Sequence, residues 1–281
     1  MAEPDIRIGT SSFSEPDWVG PFYPAGTKPG EFFKYYASRF STVEIDASYY
    51  AVPSTRTVDR WRELYSPGFI LSAKFPRSIV HGGDAATPNS QLVLNPDATY
   101  KVRDQFLSTM NRLGPHLGPL VLQFPYFARA QFAEPRPFMK LLDRFLLDLP
   151  KDFRYAVEIR NPRWLTAEFA DLLRTHKVAL VLVDQGWMPM IDEVRSRFDP
   201  ITTDFCYIRL LGDRKEIEAI TTSWDKEVID RSANLDLWAD WLARLFELCV
   251  KTLVYINNHY AGYAPETARK LTAKYQQRLK V

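Results

Sequence analysis

The sequence predicts a (β/α)₈ barrel, and three observations carry that prediction. Eight short, apolar, β-rich runs recur along the 281 residues; helical patterns separate most of them; and the polar residues inside the runs fall on one face, late in each run. Strand alternating with helix implies βαβ units and a parallel sheet. Eight such units favour closure over a doubly wound open sheet, which is the runner-up. Barrels of this kind run to about 250 residues, so one domain spanning residues 1–281 is expected.

The strands are expected at Ile6–Thr10, Thr42–Asp46, Ile70–Lys74, Leu120–Phe124, Tyr155–Arg160, Ala179–Asp184, Phe205–Leu210 and Thr252–Asn257. Helices are expected at Glu31–Phe40, Thr55–Tyr65, Asp97–Leu113, Arg136–Leu149, Thr166–Thr175, Leu235–Val250 and Pro265–Leu279. Ser54 stands where an N-cap belongs, and Pro137 and Pro265 fall in first turns. Leu235, Trp238, Leu242, Leu245, Phe246 and Cys249 share a face at helical spacing. Between the sixth and seventh strands, "MPMIDEVRSRFDP" supports one short helix or none.

Side chains alternate along a strand with a period of two, so one face packs on the helices and the other enters the lumen. Val43 and Ile45 oppose Glu44, Asp46 and Ser48; Leu71, Ala73 and Phe75 oppose Ser72 and Lys74. Leu122 and Phe124 oppose Gln123; Val157 and Ile159 oppose Glu158 and Arg160; Val181 and Val183 oppose Asp184. Arg209 shares a face with Tyr207, and Asn257 with Tyr255. Active sites of this fold lie at the C-terminal strand ends. Glu44, Asp46, Lys74, Gln123, Glu158, Arg160, Asp184, Arg209 and Asn257 are therefore expected to converge on one mouth. Removing so many charges from water costs several kcal/mol per ion, and apolar packing is often as stable. The bland alternative is an ion-pair network that merely closes the barrel.

The loops after the strands are rich in rings: Trp18, Phe22, Tyr23, Tyr49, Tyr50, Tyr126, Phe127, Trp164, Trp187, Trp224, Tyr260 and Tyr263. Arg77, Arg129, Arg163 and Arg214 stand among them. Such a rim can stack bases beside a bound phosphate backbone, suit sugar rings, or simply roof the barrel.

Composition narrows the classes. Hydrophobic content is 46%, charged content 25% and net charge +2, ordinary for a globular protein and far from a basic nucleic-acid arm. No GxGxxG or Walker A sequence is present. No apolar run reaches the roughly 18 residues needed to span a bilayer, and "MAEPDIRIG" reads as no secretory signal, so a cytoplasmic protein is expected. Cys206 and Cys249 sit in apolar runs and are expected as buried free thiols. Of the four histidines only His81 and His259 can reach the mouth, which argues against a multi-zinc site. A single divalent cation on Glu44, Asp46, Glu158 or Asp184 is disfavoured, because Lys74, Arg160 and Arg209 already neutralise them.

The blocks "GTSSFSEPDWVGPFYP", "STVEIDASYYAVPS", "FILSAKFPRSIVH", "PLVLQFP", "YAVEIRNPRWL" and "YINNHYAGYAPETARKL" occur in order along nearly the whole chain. Together they resemble the YecE-like family of TIM-barrel proteins, a domain of unknown function. The resemblance implies the barrel fold and likens the chain to barrel endonucleases. Its family-like positions are Glu44, Lys74, Gln123, Glu158, Arg160, Trp164, Asn257 and Asn258. The chain departs from the family at "YIRLLG", where Leu211 stands in place of a histidine.

Three functions compete. The first is binding of a phosphorylated small molecule or nucleic acid, with phosphodiester chemistry in reach: Arg160, Arg209 and Lys74 on phosphate, Trp164 and the loop rings stacking, and Asp46, Gln123, Asn257 and Asn258 completing the site. The second is an acid–base enzyme on a small carbohydrate: Glu158 with Glu44 or Asp184, tuned by Lys74. The third is a scaffold whose charges are only structural.

Overall fold

The computed structural model describes residues 5–64 and 67–280. Its strands are β1 (Ile6–Thr10), β2 (Thr42–Ile45), β3 (Ile70–Lys74), β4 (Leu117–Gln123), β5 (Tyr155–Glu158), β6 (Ala179–Asp184), β7 (Phe205–Leu210) and β8 (Lys251–Ile256). All neighbours are parallel, and β8 pairs with β1, so the sheet closes into a barrel in chain order. The doubly wound alternative is thereby overturned.

The helices are α1 (Pro29–Ala37), α2 (Thr55–Leu64), α3 (Pro96–Asn111), α4 (Pro135–Leu147), α5 (Ala167–His176), α6 (Ile191–Arg197), α7 (Arg214–Glu218), α8 (Ser232–Glu247), α9 (Asn258–Ala261) and α10 (Ala264–Arg278). The weak segment between β6 and β7 does hold one short helix, α6. Ser54 Oγ accepts the Thr57 amide at 3.1 Å, the capping contact expected at the start of α2. Tyr65, the last residue of the expected second helix, lies outside the described residues.

The helix-facing strand residues and the helix stripes form one continuous apolar layer. Phe75 of the β3 face meets Phe106 of α3 with centroids 4.9 Å apart, and both are fully buried. Each such side chain contributes roughly 1.5–3 kcal/mol of transfer free energy. On α8, Leu235, Trp238, Leu242 and Leu245 are buried as their spacing implies.

One thiol corrects the sequence reading: Cys206 is buried, but Cys249 is exposed. Helix α8 ends earlier than its apolar run suggests. Cys249 has φ 54°, and the Val250 amide reaches back to the Leu245 carbonyl at 2.9 Å. That is a left-handed helix stop, usually made by glycine, and a cysteine there gives no signal of it. Among the described residues, no helix is long and apolar enough to cross a membrane.

Candidate functional site at the barrel mouth

The alternation rule places the polar strand residues where expected, in two storeys of the lumen. In the lower storey, the Tyr255 hydroxyl lies 2.7 Å from Thr42 Oγ1 and 2.9 Å from Ser72 Oγ, and the Tyr207 hydroxyl donates to Glu44 Oε2 at 2.6 Å. In the upper storey Arg209, 1% exposed, is the hub. Its Nε donates to Glu44 Oε1 at 3.1 Å, and its Nη1 donates to Gln123 Oε1 at 2.8 Å and to Glu158 Oε2. Parallel register sets Gln123 beside Glu158 across β4 and β5, so one guanidinium reaches both. Lys74 pairs with Asp46 and stands 3.7 Å from Glu44. Arg160 Nε donates to Glu158 Oε1 at 3.1 Å.

Three carboxylates thus face three cations, and the pairing sets their titration. Burial works to raise the pKa of Glu158, but Arg209, Arg160 and Lys74 overcome it and hold the carboxyl down at about 2. Burial likewise opposes ionisation of Asp46, and Lys74 and Arg209 still keep it below the ordinary carboxylate range. Burial works against the Arg209 charge, and Glu158, Glu44 and Asp46 more than offset it. Glu158, Asp46 and Arg209 are therefore held in their charged forms at neutral pH.

Above this network opens a pocket of about 450 Å³. Asp46, Lys74, Gln123, Arg160, Arg209 and Asn257 line it. Glu44 and Glu158, both 0% exposed, lie beneath it and hold those residues in place. The rim carries Tyr50, Tyr126 and Trp187, which are 76%, 58% and 47% exposed, from the loops after β2, β4 and β6. Tyr126 is held at the rim by its neighbour: Asn161 clamps the Phe127 backbone with two hydrogen bonds of 2.9 Å. Two glycines shape the wall. A Cβ on Gly82 (φ 70°) would meet Asn89 O at 2.5 Å, and one on Gly212 (φ 67°) would meet His259 O at 2.4 Å.

Three expected site residues lie elsewhere. Asp184 turns to the helical layer, where it accepts from Trp238 Nε1 at 2.9 Å, the Tyr260 hydroxyl at 2.7 Å and Asn234 Nδ2 at 3.1 Å. It is the last residue of β6, where the chain leaves the sheet, and three donors from α8 and α9 outcompete the lumen. Trp164 is 7% exposed and packs on Phe127 at 5.8 Å and Phe138 at 5.2 Å. Asn258 Oδ1 accepts the Ala264 amide at 3.0 Å, fixing the entry to α10. Of the loop rings, Trp18, Tyr23, Phe127, Tyr260 and Tyr263 are buried packing.

The Asp184 cluster makes a separable prediction. Asp184→Ala strands two buried donors, Trp238 and Tyr260, and one half-buried donor, Asn234, so it should cost about 2–4 kcal/mol of unfolding free energy. Denaturant titration measures this. Ligand binding at the mouth should be unchanged at a temperature where the variant is folded.

Further pocket residues escape the strand-pattern argument: Tyr49, His81, Gln185, Leu211, Arg214 and His259. They sit in the turns and short helices after the strands, where a period of two has no meaning. Gln185 Oε1 and His81 Nδ1 are buried without a hydrogen-bond partner. Leu211, standing where the resemblance leads one to expect histidine, gives the pocket an apolar wall. Among the described residues, no group of three or more His, Cys, Asp or Glu side chains is placed to hold a metal ion.

Comparison with known proteins agrees with this architecture. The model of the DUF72 family, described as a protein of unknown function, matches residues 7–281. The UPF0759 protein YecE of Escherichia coli (strain K12) is 34% identical over 159 residues, which are 57% of this chain and 50% of that protein. The chain spans about half the length of the curated relatives it matches. A crystal structure of a DUF72 family protein from Thermotoga maritima MSB8 is 26% identical, with a TM-score of 0.72 over 99% of this chain and 100% of that one. A second, from Enterococcus faecalis V583, is 16% identical with a TM-score of 0.63, covers 100% of both chains and shares the fold. The resemblance read from the sequence blocks is confirmed.

Proposed function

This chain belongs to the DUF72 family, and we propose that its barrel mouth binds a phosphorylated ligand, a nucleotide or a nucleic-acid segment. The observation that carries the reading is the state of Arg160. Lys74 and Arg209 are 4% and 1% exposed and committed to carboxylates, whereas the Arg160 side chain is 26% exposed and, among the described residues, bonded through Nε alone. Arg160 lines the pocket, and a guanidinium whose terminal nitrogens are free to bond suits phosphate oxygens. Arg214, on the same pocket wall, adds a second, exposed cation, paired with Glu218 at 2.7 Å. The exposed rings of Tyr50, Tyr126 and Trp187 offer faces for bases that extend out of the pocket.

The carbohydrate reading is weaker. Its acid or base, Glu158, is pinned between two arginines with a pKa near 2; of its possible partners, Glu44 is bonded to Tyr207 and Arg209 and Asp184 faces another layer. Rings at the rim suit sugars too, but Asp46, the carboxylate that lines the pocket among the described residues, is paired with Lys74.

A thermal-shift panel in low salt tests the proposal. Ligands that bind only the native state raise the melting temperature by mass action. Nucleotides and short oligonucleotides should raise it, neutral sugars should not, and the oligonucleotide effect should fade as salt increases. Arg160→Ala should weaken binding roughly 10- to 100-fold, the worth of a charged hydrogen-bond pair. A rise with neutral sugars alone would reject the reading.

A further inference from the structure

We infer that Tyr49 and His81 form the proton-transfer unit of the mouth, serving hydrolysis of a phosphodiester held on Arg160. The inference rests on the anion-binding reading above and adds a reaction and two residues to it.

Four observations lead there. First, the carboxylates of the mouth and its other histidine are engaged. Glu44, Asp46 and Glu158 are ion-paired, and His259 Nδ1 lies 2.5 Å from Asn257 Oδ1 with Nε2 3.5 Å from Glu218. Second, His81 lines the same pocket as Arg160, is 8% exposed, and sets Nε2 2.6 Å from the Tyr49 hydroxyl. Third, it is held there by an uncommon backbone. Ser78–Gly82 is a π-helical turn, closed by the Gly83 amide on the Ser78 carbonyl at 3.0 Å and secured by the Asn89 amide on the His81 carbonyl at 2.8 Å. Single π turns recur at functional sites because they re-aim a side chain that an α turn would misplace. The close approach at Gly82 shows that the chain has no slack here.

The fourth observation is the charge around the ring. Burial, then Arg77 from its own segment and Arg160 from the loop after β5, push His81 down to about 4, so the imidazole is neutral and can accept a proton. Burial raises Tyr49 to about 12 against the opposing pull of Arg160 and Arg77, with Glu158 and Tyr50 adding to the rise, so it stays protonated until it can relay. A base at 4 is weak, but its weakness comes partly from two arginines. A phosphate on Arg160 cancels part of that field and raises the basicity of His81 when ligand is present.

The step balances simply. With the ring proton on Nδ1, water gives a proton to the Tyr49 oxygen as Tyr49 passes its own to His81 Nε2. The hydroxide forms a P–O bond, the ester P–O bond breaks, and the departing oxygen leaves with the electron pair. The imidazolium passes its proton back through Tyr49 to solvent water, and the departing oxygen leaves as an anion, as p-nitrophenolate does, or takes a proton from solvent.

Imidazole and guanidinium NMR on the intact chain, with inorganic phosphate as probe, tests this alongside hydrolysis of bis(p-nitrophenyl) phosphate. Phosphate should move the Arg160 side-chain signals and raise the His81 midpoint by a unit or more. Wild type should release p-nitrophenolate, and His81→Asn and Tyr49→Phe should slow it roughly 100-fold while still binding phosphate. If Arg160 responds but His81 does not, or turnover is absent or indifferent to both variants, the proton-transfer inference fails and anion binding stands. If Arg160 does not respond, both fail.

Discussion

Replacing Arg209 with methionine should cost the protein about 3–5 kcal/mol of unfolding free energy at neutral pH, the usual effect of breaking a buried ion pair from one side. Arg209 is the only guanidinium that touches both Glu44 and Glu158 among the described residues, and all three side chains are buried. Methionine keeps most of the volume, so the loss reports charge and hydrogen bonding rather than a cavity. Glu44, Glu158 and Gln123 would each lose a donor. Because the damage is an uncompensated charge, a second change that removes one carboxylate should restore part of the stability. Arg209→Met with Glu158→Gln is therefore expected to be more stable than the sum of the single variants allows. Urea midpoints of the four proteins measure the coupling. A single-variant loss under about 1 kcal/mol would mean the network does not hold the top of the barrel.

Acid should unfold the protein in two stages, and the signs follow from the shifts. The folded pKa of Glu158, about 2, lies below its ordinary value of 4.5. Its contribution is present above pH 4.5 and is lost as pH falls toward 2, on the order of 3 kcal/mol for a shift of that size. The folded pKa of His81, about 4, lies below its ordinary 6.5 because burial, Arg77 and Arg160 disfavour the charged ring. The unfolded chain therefore binds more protons between pH 6.5 and 4, and stability falls through that window first. Unfolding free energy against pH should be level near neutrality, slope down below 6.5, and steepen below 4.5. Glu158→Gln, less stable than wild type at pH 7, should converge on it near pH 2. A wild-type profile flat down to pH 4 would contradict the buried, neutral state of His81.

How much of this was legible in the sequence follows from where each signal lives. A period of two is imposed by the pleat itself, so Glu44, Lys74, Gln123, Glu158 and Arg209 could be assigned to the lumen with no knowledge of neighbours, and the structure brings them together. The same rule misplaces Asp184, because at a strand end the side chain follows its donors, and Trp238, Tyr260 and Asn234 lie far away in sequence. Trp164 illustrates a different limit. A ring in a loop can reach solvent or pack, and the choice depends on Phe127, Phe132 and Phe138 arriving from another loop and from α4. His81 could be placed at the mouth by elimination. Its π turn and its bond to Tyr49 are tertiary facts with no local signature. The strand ends read one or two residues too long at β2, β5 and β8, since Asp46, Arg160 and Asn257 continue the polar pattern after the ladder has stopped.

The central claim is that the mouth takes a phosphorylated ligand through Arg160. Calorimetric titration of a nucleoside 5′-monophosphate and of the matching nucleoside, into wild type and Arg160→Ala, tests it most directly. The account predicts that wild type binds the monophosphate, that the nucleoside binds at least 10-fold more weakly, and that Arg160→Ala erases the difference. Equal binding of both ligands, or a phosphate preference that survives the loss of Arg160, would contradict it.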